Sequence, residues 1–300
     1  MKPRTIAAAL LAGAGGLLAY ATAVEPNRIR IVHRDIFLPR LPAAFEGYTI
    51  YQIGDLHTSS WGIRERAVAQ ILGSLPPADL IALTGDMVHT RGGIAPFLKL
   101  AESFRSTDGA YAVFGNSEHK NGVDPNAFPL VLEQQGITCL LNRGAVVERG
   151  GDRIAVVGVD DPVNEKDDLD AALAGVPPER FVLCLMHSPD SVASAVVRGV
   201  DLVLSGHTHG GQIRLPIKGP LFTHTHVGKR MSSGHYHRGR LRGVVGIRPG
   251  RTQLYVTRGI GVSGLAIRFL CPPEFTILTL RNGLPASRAP RVDLGAALGL

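Results

Sequence analysis

Short apolar runs alternate with helix-spaced segments along most of the chain. YTIYQIGD (48–55), DLIALT (79–84), AYAVFGN (110–116), residues 137–141 and 153–159, FVLCLMH (181–187) and DLVLSGH (201–207) read as strands. Between them, residues 63–72, 94–104, 128–135, 167–174 and 191–197 have helical spacing. Strands alternating with helices predict βαβ units and a largely parallel sheet, an α/β fold. From about Thr252 the pattern changes. QLYVTRG and EFTILTL are strand-like, and Pro272-Pro273 forbids a long helix between them. The chain is therefore expected to finish in β-structure, in a second sheet packed on the first.

The N-terminus has a different pattern. Residues 5–24, TIAAALLAGAGGLLAYATAV, carry no charge and follow Lys2 and Arg4. That stretch has the length of a membrane span, and Ala21-Thr22-Ala23 offers a small-x-small cleavage site. Residues 1–26 therefore read as a membrane anchor or signal segment. Lys2 and Arg4 favour an exported body, periplasmic or extracellular. Arg28, Arg30 and Arg34 weaken that asymmetry, and the cytoplasmic face is the alternative. Pro26, Pro39 and Pro42 punctuate a connector at 27–46. A globular domain is expected at 47–282 and a weakly ordered tail at 283–300.

Composition narrows the function classes. An apolar fraction of 45% supports a full core, and 36 glycines and 20 prolines fit many tight turns. The net charge of +7 favours anionic partners, phosphate groups or an anionic membrane surface. No basic run with interleaved aromatics singles out nucleic acid. Cys139, Cys184 and Cys271 are odd in number and far apart, which argues against a disulfide framework or a structural zinc site. Residues 259–264 match G-x-G-x-x-G, but no helix can open there and no acidic ribose ligand follows. No P-loop and no G-x-S-x-G nucleophile elbow is present.

The candidate chemistry lies at the strand ends. Asp55-Leu56-His57, Gly85-Asp86, Gly115-Asn116, His187 and Gly206-His207-Thr208-His209 each follow an apolar run. In open parallel sheets, ligands bind at the carboxyl ends of strands, so five separated segments can converge on one rim. They bring three oxygen ligands and four imidazoles, enough for two divalent ions. Asp55 and His57 are two apart and can point the same way. Asp86 is the natural bridge, since two ions about 3.5–4 Å apart need a shared ligand. A nitrogen–oxygen set without thiolate suits Mn, Fe or Zn.

In this order, D-x-H, G-D, G-N, H and G-H-T-H resemble the calcineurin-like metallophosphoesterase superfamily, over roughly residues 48–280. GHTHGGQIRLP (206–216), YVTRGIGVSG and IRFLCPPEFTILTL are similar to its membrane-associated bacterial branch. That branch includes phosphodiesterases and enzymes that cleave the pyrophosphate of UDP-2,3-diacylglucosamine. The resemblance implies a four-layer αββα sandwich of two mixed β-sheets. It implies that Asp55, His57 and His209 bind one ion, that Asn116, His187 and His207 bind the other, and that Asp86 bridges them. The ions would activate water for in-line attack on phosphorus, with Asp86, Asn116 and His209 in the catalytic machinery.

One position departs from the family pattern. G-N-H-[DE] reads Gly115-Asn116-Ser117-Glu118 here, and a serine cannot act as an acid near pH 7. His119 is the candidate catalytic replacement. The chemical alternative is a pyrophosphate substrate, whose leaving group needs little protonation. Arg214, Lys229 and Arg230 are candidate substrate contacts; the last two lie in HTHVGKRMSSGHYHRGR (224–240). The expected function is dinuclear-metal hydrolysis of a phosphodiester or pyrophosphate bond, in a membrane-associated or nucleotide-linked lipid substrate. A soluble nucleotide or nucleic-acid phosphodiesterase is the runner-up. A catalytically weak module that binds phosphorylated envelope components is the rival class.

Overall fold

The structure is a computed structural model and describes residues 3–285 except His224. Of the expected tail, residues 286–300 lie outside the described residues, as do Lys2 of the charged N-terminal flank and His224 of the 224–240 loop.

DLIALT forms a strand apolar throughout because both of its faces are covered. Leu80 and Ala82 enter one core, Ile81 and Leu83 another. The same alternation recurs through two six-stranded sheets. The chain lays down β1 (Arg30–Leu38), β2 (Thr49–Ile53), β3 (Leu80–Thr84), β4 (Ala110–Val113) and β5 (Ile137–Cys139). It then crosses to β6 (Arg143–Arg149), β7 (Asp152–Gly158), β8 (Phe181–Leu185) and β9 (Leu202–Ser205). A two-stranded hairpin, β10 (Arg214–Leu215) and β11 (Gly219–Pro220), precedes β12 (Gly234–Tyr236) and β13 (Gln253–Val256). Finally β14 (Glu274–Asn282) returns to the first sheet.

The first sheet runs β1-β14-β2-β3-β4-β5 and the second β12-β13-β9-β8-β7-β6. Both are mixed: β2 to β5 and β7, β8, β9 and β13 pair in parallel, while β14 runs antiparallel to β2 and β6 antiparallel to β7. Ile50, Leu80, Leu183, Leu204 and Leu278 fill the space between the sheets. Helices α2 (Ile63–Ser74), α3 (Ile94–Ala101) and α4 (Phe128–Gln134) cover the outer face of the first sheet, burying Val68, Phe97 and Leu132. Helices α5 (Leu169–Ala172), α6 (Val192–Val197) and α7 (Arg238–Val245) cover the second through Leu169, Val192 and Leu241. The layers are αββα. Gln52, fully buried, ties the sheets together beneath the rim by donating from Nε2 to the Ser205 carbonyl at 3.0 Å.

Three features correct the sequence reading. The expected connector contains β1, and the domain reaches back to Arg30. Strands β1, β6 and β12 lie at sheet edges and lack a clear apolar period, and β1 and β6 carry charge on their exposed faces; the remaining edge, β5, is apolar and is legible as a strand. The two late strands do not share a sheet, since β14 inserts between β1 and β2 of the first.

The N-terminal helix α1 (Pro3–Ala19) continues into helical turns at Tyr20–Val24 and Glu25–Asn27. No helix among the described residues is long and apolar enough to cross a membrane. The segment is not separate from the body. The Ala21 carbonyl accepts from Arg268 N at 2.9 Å, and the buried Glu25 carboxylate accepts from Cys271 N. The expected boundary at residue 26 therefore cuts through contacts.

Candidate metal centre

Each motif follows its strand by one to four residues, at one rim of the two sheets. Asp55 and His57 follow β2, Asp86 follows β3, and Asn116 follows β4. His187 follows β8, and His207 and His209 follow β9. The backbone there is strained in a consistent way. Asp55, His57, Asp86, His207 and His209 all take left-handed φ, between +47° and +68°. Non-glycine residues pay about 1–2 kcal/mol for that region, and such strain collects where side chains must converge. The adjoining glycines make the convergence possible. A Cβ on Gly115 would collide with the Asp86 carboxylate, and one on Gly206 with the Asp55 carboxylate.

Six of the seven side chains form two clusters that share one residue. Asp55, His57, Asp86 and His209 make the first; Asp86, His187 and His207 the second; and all six are buried. Asp86 Oδ2 lies 3.2 Å from His57 Nε2 and 3.6 Å from His187 Nε2. One carboxylate oxygen thus faces both groups. His57 Nε2 and His209 Nε2 face each other at 3.0 Å, and His207 Nδ1 and His187 Nε2 at 3.1 Å. At most one hydrogen can lie between two ring nitrogens, whereas a cation satisfies both lone pairs. Asp55 Oδ2 is buried without a hydrogen-bond partner. Paired nitrogens, an orphaned carboxylate oxygen and a shared oxygen fit two divalent cations.

Neighbouring groups aim the ligands. Ser117 N–H donates to Asp86 Oδ1 at 2.8 Å and so leaves Oδ2 for the cluster. The Thr84 carbonyl lies 2.9 Å from His187 Nδ1, so the proton sits on Nδ1 and Nε2 is left as a ligand. His207 N–H holds Asp55 Oδ1 at 2.8 Å. Glu118 is fully buried and accepts from the N–H groups of Asp86, Gly115 and Val88 at 2.9, 2.9 and 3.1 Å. It clamps the β3 loop to the β4 loop.

Burial and crowding shift the titrations. Burial pushes Asp55 up to about 7. Burial and the Asp86 charge push Glu118 up to about 8, against its N–H donors. Burial lowers His187, but the Asp86 and Asp55 carboxylates outweigh it and bring it to about 9. Burial drives His57 down to about 4 and His209 well below the usual imidazole range. Folded metal-free protein therefore holds protons on Asp55 and His187 more tightly than the unfolded chain does. Stability from these two is fully present below their unfolded values of 3.8 and 6.5 and is lost as pH rises to about 7 for Asp55 and about 9 for His187. Bound cations replace those protons. The gap in Tm between metal-loaded and metal-free protein should thus widen from about pH 6.5 to 8.5. Calorimetry at both pH values checks this, and a constant gap would refute it.

Comparison with known proteins agrees with this geometry. The model of the family described as calcineurin-like phosphoesterase matches residues 48–211. The chain belongs to that family. It is 32% identical to the Bacillus subtilis uncharacterized metallophosphoesterase YkuE, over 91% of this chain and 94% of that one. It is 30% identical to the Escherichia coli phosphodiesterase YaeI, over 91% and 96%. It is 26% identical to the Chlamydia muridarum UDP-2,3-diacylglucosamine pyrophosphatase LpxG, over 86% and 91%. This calcineurin-like phosphoesterase is a metal-dependent hydrolase and uses a pair of divalent metal ions.

The remaining site candidates are distributed differently. Asn116 is half-buried and lines a cavity of about 280 Å³ with Asp86, His207 and His209. His119 turns away from that cavity's lining: its Nε2 lies 2.6 Å from Asp160 Oδ1 and its ring stacks edge-on against Phe114. Ser117 Oγ lies 3.4 Å from His57 Nδ1, where it orients that imidazole. Arg214 donates to the Gly210 carbonyl at 2.9 Å and so braces the turn after His209. Lys229 and Arg230 are exposed on the turn Gly228–Met231, outside the cavity lining.

Three residues escaped the sequence reading. Glu118 is the clamp described above; its place after Asn116 was the available signal. Arg268 is fully buried and donates to the carbonyls of Gly261, Cys271 and Arg258, which shapes the loop packed on Asp55. Lys120 is exposed and lines the cavity beside Asn116. Lys120→Ala should raise KM for a phosphodiester about tenfold, with metal content unchanged. Steady-state kinetics with metal analysis checks that.

Proposed function

We propose that this phosphoesterase cleaves a phosphodiester or pyrophosphate bond in a lipid-linked substrate such as UDP-2,3-diacylglucosamine. The proposal includes action at a membrane surface, with the body on the exported side. The observation that carries the reading is an apolar groove of about 380 Å³ beside the metal cavity. His209, Ser263 and Gly264 line both, and Ile213, Phe222 and Leu265 line the groove alone. A phosphate over the clusters would leave an attached acyl chain in the groove, where it loses its contact with water. The pyrophosphatase activity of the LpxG relative supports the same chemistry.

When bound, the two ions neutralise phosphoryl oxygens and lower the pKa of the attacking water. The chain supplies the rest. Asp86 and the imidazoles fix where the phosphorus sits, and Asn116 and Lys120 face the cavity that holds its non-bridging oxygens. Neither residue at the expected acid position is free for the leaving group, since His119 is engaged by Asp160 and Ser117 by His57. A nucleotide or phosphate leaves without a proton; an alkoxide does not. UDP-2,3-diacylglucosamine should therefore be turned over with a kcat/KM at least about 10²-fold above that for an alkyl phosphodiester. Parallel assays with the metal-loaded full chain test this. Equal rates would overturn the leaving-group argument. A preference for soluble nucleotides would favour the runner-up phosphodiesterase.

A further inference from the structure

Residues 202–273 contain eleven Lys and Arg and no Asp or Glu. The rest of the chain is net acidic, so this segment carries the whole positive excess. The same segment builds the apolar groove. Its surface is also apolar: Ile217, Phe222, Leu265 and Leu270 all expose large side chains.

Hydrogen bonds gather these residues onto one face. Arg214 N donates to the Phe269 carbonyl, and Phe269 N to that of Gln212. Gln212 Nε2 donates to the carbonyls of Ser263 and Leu265. The β10–β11 hairpin therefore lies against loop 263–270. That loop also receives the N-terminal helix, through Arg268 N and the Ala21 carbonyl. Helix α1 exposes Leu10, Leu11, Leu17 and Leu18. Cations stand beside the apolar rim: Lys218 at the hairpin tip, and Arg28 and Arg30 just past the helix, all exposed.

The hairpin tip is informative in itself. Ile217 is fully exposed and takes φ +67°. A β-branched residue adopts that conformation only under strain, and glycine or asparagine would suit the turn better. Neither turn chemistry nor core packing explains an isoleucine there.

We propose that this face docks on an anionic lipid surface. Helix α1, the Ile217–Lys218 tip and loop 263–270 form one contact. The apolar side chains enter the boundary between headgroups and acyl chains, while Lys218, Arg28 and Arg30 meet the headgroup phosphates. Two attachments, a helix and a rim, hold a protein at a surface more firmly than either alone. The groove then opens at the bilayer, so an acyl-bearing substrate reaches the metals without crossing water. The docking rests on the membrane-surface reading above and assigns it to this face; the hydrolysis of a lipid-linked substrate is a separate matter.

The test reads membrane contact at the tip without any turnover. Cys139, Cys184 and Cys271 are all buried, so a new surface cysteine can be labelled selectively. Full-length Ile217→Cys carrying an NBD fluorophore is mixed with phosphatidylcholine–phosphatidylglycerol vesicles. Emission should shift to the blue and rise at least about twofold, as expected when a probe leaves water. The same label at Val146→Cys, exposed on β6, should not respond. Pure phosphatidylcholine vesicles should give at least about tenfold weaker binding. An unchanged spectrum at position 217 in bound protein would overturn the proposal, because α1 would then be holding the chain alone. Equal binding to neutral vesicles would overturn the role of charge. A spectral shift without vesicles, tracking protein concentration, would mean that a second copy covers the face. A chain inactive on every lipid ester could still pass this test, and an active one could fail it.

Discussion

Asp86→Asn is expected to lower kcat/KM for bis(p-nitrophenyl) phosphate by about 10³-fold or more, a loss of ~4 kcal/mol in transition-state stabilisation. The reason lies in which oxygen is already committed. Ser117 N–H requires an acceptor at the Oδ1 position. An asparagine must therefore place its carbonyl oxygen there and turn its NH₂ toward His57 and His187. A shared anionic ligand becomes a pair of donors facing two imidazoles, and both clusters lose their common member. Metal analysis should find fewer than two ions per chain. Two tightly held ions and near-normal turnover in Asp86→Asn would remove the bridging role.

Glu118→Ala should cost about 3–5 kcal/mol of stability, because three buried N–H groups on two loops lose their acceptor. For a protein of this size that corresponds to a fall in Tm of about 6–15 °C. Glu118→Gln should fall in between, since its amide keeps one acceptor oxygen but opposes N–H with N–H. Metal affinity should drop with the fold, because Gly115 and Asp86 are both held by this carboxylate. Calorimetry on metal-free protein is the measurement. A Tm within about 2 °C of the parent would mean that water replaces the carboxylate at no cost.

Much of this was legible in the chain itself. Buried strands such as DLIALT announce themselves because both faces are apolar, and strand ends followed by Gly-Asp, Gly-Asn and Gly-His mark a rim. Edge strands that carry charge are hidden from the same reading. RIVHRDIFL mixes charge and apolar residues because β1 pairs on one side only. The return of β14 to the first sheet follows from pairing partners far apart in sequence, which no local pattern encodes.

The site divides along the same line. Ligand identity was readable because metal binding needs particular donor atoms in an ordered set of motifs. The supporting partners were not. Residue types alone did not say that Ser117 would turn its amide to Asp86 and its hydroxyl to His57, or that His119 would be taken by Asp160. Those outcomes depend on loop conformations set by left-handed φ at five ligands, and on which neighbours burial brings within hydrogen-bond reach. The sequence by itself determined the alternation of buried strands and helices, the strand ends and the donor atoms, because periodicity and side-chain chemistry are local properties. Only the tertiary structure decided which oxygen of Asp86 is shared, which residues hold it, and that an apolar, cationic face opens beside it. Those are distances between segments up to about two hundred residues apart, fixed when two sheets pack and their rims align.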